Sequence, residues 1–172
     1  MVKGQSPVIR VMVVEDHPLL IQGLRRVLEN EPDLEIVAEA SSGDDAVRLA
    51  VELTPDVILM DINLRGKNGL QATHEIKQIY AIDETSVIVL TAYNDDEQML
   101  HALRAGASAY YPKDVLPSEL IPAIRAVSED RYLINGKVLN KAEAYRWLLL
   151  EMEKLTEVAD AGQDAFAPLS PR

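Results

Sequence analysis

The stretch Val57-Ile58-Leu59-Met60-Asp61-Ile62-Asn63 decides the fold of this 172-residue chain. Its apolar residues have the length and composition of a strand that is buried on both faces, as in parallel sheets. The run ends in a carboxylate, and the polar and glycine residues that follow, through Gly66 and Gly69, indicate a loop. Open parallel sheets bind their ligands at this end of the strands. A lone Asp after a strand is more often a turn residue or a helix N-cap. A chemical role for Asp61 is therefore indicated only if other strands end in similar residues.

Three further strand-like runs, residues 8–14, 86–90 and 108–112, also end in polar residues. The polar residues that follow them are Glu15, Asp16, Thr91 and Lys113. A run over residues 34–40 is interrupted by glutamates and predicts an edge strand. Helical patterns lie between and after the strands, over residues 18–29, 42–53, 69–80, 94–105 and 117–128. Five strands alternating with five helices predict an α/β, three-layer, doubly wound fold with a five-stranded parallel sheet.

The composition limits the class of protein. The chain is 48% hydrophobic and 26% charged, enough to build one ordinary domain and an extension. The absence of cysteine excludes disulfides, thiol catalysis and cysteine-ligated zinc, and it fits a reducing cytoplasm. The net charge is −11 and the acidic excess lies in residues 1–130, so this surface repels nucleic acid. Because no apolar stretch has the length of a membrane helix and the N-terminus is not that of a signal peptide, a cytoplasmic location is expected.

The carboxyl ends of the predicted strands should meet in one crevice. It would contain Glu15, Asp16, Asp61, Thr91 and Lys113. Each of these residues alone is more typical of a cap or a solvated charge. Together, three carboxylates repel one another unless a divalent cation lies between them, and Mg²⁺ prefers such oxygen ligands. With a lysine and a hydroxyl alongside, the set indicates phosphoryl transfer, in which Asp61 is the nucleophile that forms an acyl phosphate.

Other catalytic motifs are absent from the sequence. There is no glycine-rich phosphate loop with lysine and no nucleophile elbow. We treat His17, His74 and His101 as ordinary helix residues, because no two of them have the spacing of a metal-ligating pair.

Four motifs in order resemble the receiver domain of bacterial two-component response regulators, over residues 8–130. They are Val13-Val14-Glu15-Asp16-His17, Leu59-Met60-Asp61-Ile62-Asn63, Leu90-Thr91-Ala92, and Ala102-Leu103-Arg104-Ala105-Gly106-Ala107 with Tyr110 and Lys113. The spacings from Asp61 to Thr91 and to Lys113 agree with the family. The resemblance implies a flavodoxin-like (CheY-like) fold. The chain departs from the family pattern at Glu15, where aspartate is commoner, and at Arg65, where proline is usual.

The resemblance also implies residue roles. Asp61 would accept a phosphoryl group from a phosphohistidine on a sensor histidine kinase, with Lys113 beside it. The Mg²⁺ ligands would be Glu15, Asp16, Asp61 and the backbone carbonyl of Asn63. Thr91 would be the switch hydroxyl and Tyr110 the switch aromatic, biasing the face formed by the fourth helix, fifth strand and fifth helix. Tyr111 should point to the other side of the sheet.

The remaining residues, 131–172, predict an extension. Asn135-Gly136 indicates a turn, and a helix is expected over residues 141–159, followed by a linker over 160–168. The apolar stripe of this helix consists of Tyr145, Leu148, Met152, Leu155 and Ala159. Two alternatives stay open, since the stripe either packs on its own domain or makes a dimer or inter-domain contact. The receiver output face is a second place for a homodimer.

The last four residues, 169–172, resemble the opening of the LuxR-type helix-turn-helix domain of NarL/FixJ-type regulators. We therefore expect a disordered lead (1–7), a receiver (8–130) and a helical linker (131–172) to a missing DNA-binding domain, through which alone the protein would contact DNA. The expected function is a phosphorylation-dependent transcription regulator rather than a turnover enzyme. The alternatives are a pseudo-receiver that binds proteins without phosphorylation and a hydrolase working through an aspartyl phosphate.

Overall fold

The computed structural model describes residues 7–79, 84–92 and 95–166, with side chains described up to residue 159. The strands are β1 (Ile9–Val14), β2 (Leu34–Ala40), β3 (Val57–Asp61), β4 (Ser86–Thr91), β5 (Ala109–Pro112), β6 (Tyr132–Ile134) and β7 (Lys137–Leu139). The helices are α1 (Pro18–Glu29), α2 (Gly43–Leu53), α3 (Gly69–Lys77), α4 (Asp96–Ala105), α5 (Pro117–Ser128) and α6 (Lys141–Phe166).

The first five strands form the predicted parallel sheet. The strand order is β2-β1-β3-β4-β5, continued by β6 and β7. The strand β3 lies at the centre and all five of its residues are buried, which explains its unbroken apolar sequence. The strand β2 is at the edge, as its glutamates predicted. In the register of β3 and β4, Asp61 pairs with Leu90 one residue before Thr91, so both strands end at the same edge of the sheet.

Side chains alternate between two cores, one on each face of the sheet. Met12, Val14 and Met60 pack with residues of α2, α3 and α4. Their sequence neighbours, including Val13 and Leu59, pack with residues of α1 and α5 on the other face. The period of two along each strand produces this division. The three-layer α/β architecture predicted from the sequence is confirmed.

Two short strands extend the sheet beyond the five that were predicted. The strand β6 runs parallel to β5, with Leu133 opposite Ala109, and β7 returns antiparallel to β6. Asn135 and Gly136 connect them with φ angles of 51° and 75°, as in the tight turns that Asn-Gly favours. The turn was predicted correctly. The strands were not, because three residues are too few to display a hydrophobic period.

Helix ends differ from the prediction in four places, one of them the start of α2, where Ser42 is the N-cap and Gly43 the first residue. The helix α3 ends at Lys77 rather than at residue 80, and residues 80–83 lie outside the described part of the chain. The helix α4 begins at Asp96 with Asp95 as its N-cap, whereas Asn94 is not among the described residues. The helix α6 continues to Phe166, so the predicted linker over 160–168 is wrong as far as Phe166.

The first half of α6 packs on its own domain. Ala144 is buried with Leu103 of α4 and Ile134 of β6, and Trp147 and Leu148 pack partly against this cluster. Farther along, Leu155 and Val158 are 53% and 69% exposed. The helix therefore packs on the receiver over its first turns, and its later turns carry apolar residues that are open to solvent. Among the described residues, no helix is both long and apolar enough to span a membrane.

Candidate functional site

The strand ends bring the predicted site residues together at the carboxyl edge of the sheet. Glu15 follows β1, and its amide donates to the carbonyl of Ala40 at 2.9 Å. Asp61 ends β3, and Thr91 ends β4. Lys113 follows β5, and its amide donates to the carbonyl of Thr91 at 2.7 Å. These backbone bonds continue the parallel ladder past the strands and fix the position from which each side chain starts.

Lys113 bridges two buried carboxylates. Its Nζ lies 3.1 Å from Asp61 Oδ1 and 3.2 Å from Glu15 Oε2. Asp61 and Glu15 are each only 1% exposed, which makes the charge of Lys113 necessary, because an isolated buried carboxylate carries a large desolvation penalty. One lysine neutralises one charge, so the pair of carboxylates keeps a negative excess.

A third carboxylate and a histidine complete the cluster. Ligand atoms of Glu15, Asp16, His17 and Asp61 all lie within 4.8 Å of one another. His17 Nδ1 is 2.7 Å from Glu15 Oε1 and 3.0 Å from Asp16 Oδ1. The interpretation of His17 as an ordinary helix residue is wrong, because it is the N-cap of α1 and contacts both acids. Its place directly after Glu15-Asp16 was the signal in the sequence.

The surroundings of the cluster shift the pKa values of Asp61 and Glu15 in opposite directions. Burial, and then the charge of Glu15, raise the pKa of Asp61 despite the hydrogen bond from Lys113. Burial also acts to raise the pKa of Glu15, but hydrogen bonding to His17 and the charge of Lys113 outweigh it, so that pKa is lowered. Burial acts to lower the pKa of Lys113, and its contacts with Asp61 and Glu15 raise it overall. The contacts of Lys113 therefore favour its charged form, whereas burial disfavours the charged form of Asp61.

The two oxygens of Asp61 have different surroundings. The oxygen Oδ1 is near Lys113 and accepts a hydrogen bond from the amide of Asn63 at 3.2 Å. The oxygen Oδ2 is buried and has no hydrogen-bond partner within the described part of the chain. Gly69 approaches the same residue closely, since a Cβ there would lie 1.9 Å from the Asp61 carbonyl oxygen. Glycine at this position lets the loop fold tightly behind Asp61.

Thr91 and Tyr110 share one partner on α4. The Thr91 hydroxyl and the Tyr110 phenol each donate to Gln98 Oε1 at 3.3 Å. Thr91 is 1% exposed, and burial raises the pKa of the Tyr110 phenol. Tyr110 packs on the side of α2, α3 and α4, and Tyr111 on the side of α1 and α5, which confirms the predicted alternation. Sequence reasoning missed Gln98, because a glutamine in the first turn of a helix carries no signal of its own.

Comparison with known proteins identifies relatives over most of the chain. Residues 11–125 match the family model of the response regulator receiver domain. The chain is 41% identical over 133 residues to the transcriptional regulatory protein LiaR of Bacillus subtilis, covering 77% of this chain and 62% of LiaR. It is 37% identical over 147 residues to the transcriptional regulatory protein DegU of Brevibacillus brevis, covering 85% of this chain and 61% of DegU. The chain thus spans about three fifths of the length of these relatives.

Solved structures agree with the sequence comparison. The receiver domain of the response regulator NarL from Mycobacterium tuberculosis superimposes with a TM-score of 0.69 at 29% identity, covering 73% of this chain and 100% of that one. A LuxR-family response regulator from Aurantimonas gives a TM-score of 0.68 at 33% identity, covering 84% and 98%. The matching family model spans more than half of the chain. The chain has the fold of the compared receiver structures and an acidic cluster at the end of its strands. This chain therefore belongs to the family of response regulator receiver domains and is related to LuxR-family transcriptional regulators.

Proposed function

We propose that Asp61 accepts a phosphoryl group from a phosphohistidine of a sensor histidine kinase. The observation that carries this proposal is the asymmetry of the Asp61 carboxylate. Its Oδ1 is engaged by Lys113 at 3.1 Å, while its buried Oδ2 has no partner among the described residues. An oxygen lone pair without a hydrogen bond is the one available for attack on phosphorus. The new bond is O–P, the bond that breaks is N–P, and the kinase imidazole leaves with its proton.

The donor set around Asp61 fits Mg²⁺. Glu15, Asp16 and Asp61 supply carboxylate oxygens within 4.8 Å of one another, and we assign the backbone carbonyl of Asn63 as a further ligand. Mg²⁺ favours one or two carboxylates together with phosphate oxygens and water. When bound, the ion offsets the negative charge that the carboxylates and the phosphoryl group share.

Lys113 supplies the second positive charge. Its Nζ lies between Glu15 and Asp61 at 3.2 and 3.1 Å, and a short movement carries it to an oxygen of a phosphoryl group on Asp61. A cation held in place before the reaction stabilises the developing charge at little reorganisation cost. We expect Lys113 to be needed more for coupling phosphorylation to the rest of the domain than for the structure of the unmodified protein.

The output of the site passes through Thr91 and Tyr110. The hydroxyl of Thr91 is drawn toward the phosphoryl group, and Tyr110 takes up the space that it leaves. Both residues contact α4 through Gln98, and α4 packs on α6 through Leu103 and Ala144. Phosphorylation thereby biases a two-state equilibrium that reaches the C-terminal helix.

The names of two relatives support the role that we propose for the whole protein. LiaR and DegU are named transcriptional regulatory proteins. We assign residues 8–130 to the receiver and residues 131–172 to the link toward a DNA-binding domain, with the regulator acting in the cytoplasm. This chain has a net charge of −11 and makes no DNA contact of its own in this scheme.

We assign the second half of α6 to a contact between two copies of the protein. Leu155 and Val158 follow Ala144 and Leu148 on one helical face at helical spacing. Ala144 and Leu148 contact the receiver, whereas Leu155 and Val158 are 53% and 69% exposed. Two such stripes side by side would remove this apolar surface from water.

Intact mass spectrometry tests the phosphorylation. Wild type incubated with acetyl phosphate and Mg²⁺ should gain one phosphoryl group. Neither Asp61→Asn nor wild type with excess EDTA should gain it, and Asp44→Asn, an exposed acid on α2, is the matched control that should be labelled like wild type. A wild type that stays unlabelled would favour a pseudo-receiver that binds partners without phosphorylation.

A further inference from the structure

Gln98 joins the two switch residues at one atom. Its Oε1 accepts from the Thr91 hydroxyl on β4 and from the Tyr110 phenol on β5, each at 3.3 Å. Its own backbone is held separately, because the amide of Gln98 donates to the Asp95 N-cap at 2.6 Å. The first turn of α4 is thus tied to two strands through a side chain that the cap does not need.

The Thr91 hydroxyl has a single hydrogen to donate. In this structure Gln98 Oε1 accepts from it at 3.3 Å, beside a contact of the hydroxyl with the Tyr110 phenol. In the proposed phosphorylated state it goes to a phosphoryl oxygen on Asp61, so the two acceptors compete for one donor. We propose that Gln98 is a positioning residue that holds Thr91 and Tyr110 in the unphosphorylated arrangement. This inference rests on the proposed phosphorylation of Asp61 and adds a residue that opposes it.

The shared acceptor makes the two switch movements interdependent. When Thr91 leaves, Gln98 Oε1 keeps the bond from Tyr110 and loses the bond that ties α4 to the end of β4. Gln98 thereby sets part of the free energy that phosphorylation must supply. Removing its acceptor shifts the equilibrium toward the phosphorylated arrangement before any phosphoryl group arrives.

Two substitutions at Gln98 separate this role from a packing role. Gln98→Met keeps the length of the side chain and removes the acceptor, while Gln98→Glu keeps an acceptor oxygen at the same distance from the helix. Because the cap from Asp95 uses the backbone amide, neither change removes it. Glu97→Gln, an exposed neighbour on α4, is the control for changes in this turn of the helix.

The experiment measures the rate of labelling by acetyl phosphate with Mg²⁺. Gln98→Met should be labelled about three- to tenfold faster than wild type, the range that one net hydrogen bond represents. Gln98→Glu should be no faster than wild type, and Glu97→Gln should match it. In a Thr91→Ala background, where no hydroxyl remains to hold, Gln98→Met should have no effect on the rate.

Three outcomes would overturn the inference. Labelling of Gln98→Met at the wild-type rate means that Gln98 does not hold the switch. An equal acceleration in the Thr91→Ala background means that it acts through another contact. If wild type itself is not labelled, the proposed function fails and the role of Gln98 fails with it. A labelled wild type with an unchanged Gln98→Met overturns the role of Gln98 alone.

Discussion

Lys113 offsets only part of the charge that surrounds Asp61. It lies between Glu15 and Asp61 at 3.2 and 3.1 Å, and Asp16 adds a third carboxylate within 4.8 Å. The unmodified site is therefore electrostatically strained, which is the usual state of a binding site before its ligand arrives. This strain should lower the free energy of unfolding of the metal-free domain.

Asp61→Asn should raise the melting temperature at neutral pH when no divalent ion is present. Burial and Glu15 raise the pKa of Asp61 in the folded protein, so its ionised form favours unfolding. This destabilisation is absent below the ordinary pKa of 3.8 and complete above the raised folded pKa, so the gain should grow as pH rises. The melting temperature should increase by about 2–4 °C for each kcal/mol relieved. Thermal scans from pH 4 to pH 8 measure it.

Mg²⁺ should reverse the order of the two melting temperatures, so that wild type melts above Asp61→Asn. Millimolar MgCl₂ should stabilise wild type, because a ligand that binds the folded state alone stabilises it by mass action, and it should stabilise Asp61→Asn much less. Glu153→Gln, on the exposed surface of α6, is the control for a lost charge elsewhere. A wild type that melts at the same temperature with and without Mg²⁺ would argue against the metal site.

Most of the site was predictable at the residue scale, and part of it was not. The approach of Glu15, Asp16, Asp61 and Lys113 follows from topology, since the ends of parallel strands share an edge. The contacts of His17 and Gln98 depend on side-chain rotamers and on the exact start of a helix. No periodicity in the sequence encodes these features.

At the scale of elements, an ion pair joins α5 to the loop before β2. Arg125 Nε lies 2.9 Å from Asp33 Oδ2, and Arg125 Nη2 lies 2.6 Å from Glu31 Oε2. The bond from Arg125 lowers the pKa of Asp33. The side chain of Arg125 is 43% exposed, so solvent screens the pair and its contribution is modest.

Asp33→Asn should therefore reduce the free energy of unfolding at pH 7 by at most about 1 kcal/mol. A carboxyl group with a lowered folded pKa stabilises the fold above its ordinary pKa of 3.8, and this stabilisation is lost as pH falls through the folded pKa. The difference from wild type should consequently vanish in strong acid. Urea unfolding should show a smaller difference at pH 3 than at pH 7. A loss in Asp33→Asn that persists unchanged in an Arg125→Gln background would show that the pair is not its cause.

Long elements were predicted well and short ones poorly. The strands β1, β3 and β4 are buried apolar runs of five or six residues, long enough to recognise. The strands β6 and β7 have three residues each and exist because β5 offers an edge for pairing, which is a tertiary cause. The helix α6 was predicted over residues 141–159, and only its continuation to Phe166 was missed.

At the scale of the whole molecule, α6 extends away from the receiver domain. Its buried start is fixed through Ala144 to Leu103 of α4. Its later turns carry apolar residues into solvent, and unpartnered apolar surface of this kind favours association. In the proposed function, a movement of α4 reaches a surface through which two copies would associate.

Leu155→Asp combined with Val158→Asp should make the protein monomeric under conditions where wild type is a dimer. Both side chains are exposed, so the substitutions should leave the receiver core intact. The variant should therefore still take up phosphate. Light scattering at several concentrations gives the mass. Glu153→Gln with Glu157→Gln, exposed on the same helix, is the matched control. An identical mass for wild type and the aspartate variant would reject the contact through α6.

The position of the phosphoryl group tests the central claim most directly. Protein labelled with acetyl phosphate and Mg²⁺ is treated with borohydride, which reduces an acyl phosphate of aspartate to homoserine, and the modified residue is located by peptide mass spectrometry. Homoserine should be found at position 61 and nowhere else. Reduction at Glu15 or Asp16, or a labelled protein with Asp61 unmodified, would contradict it.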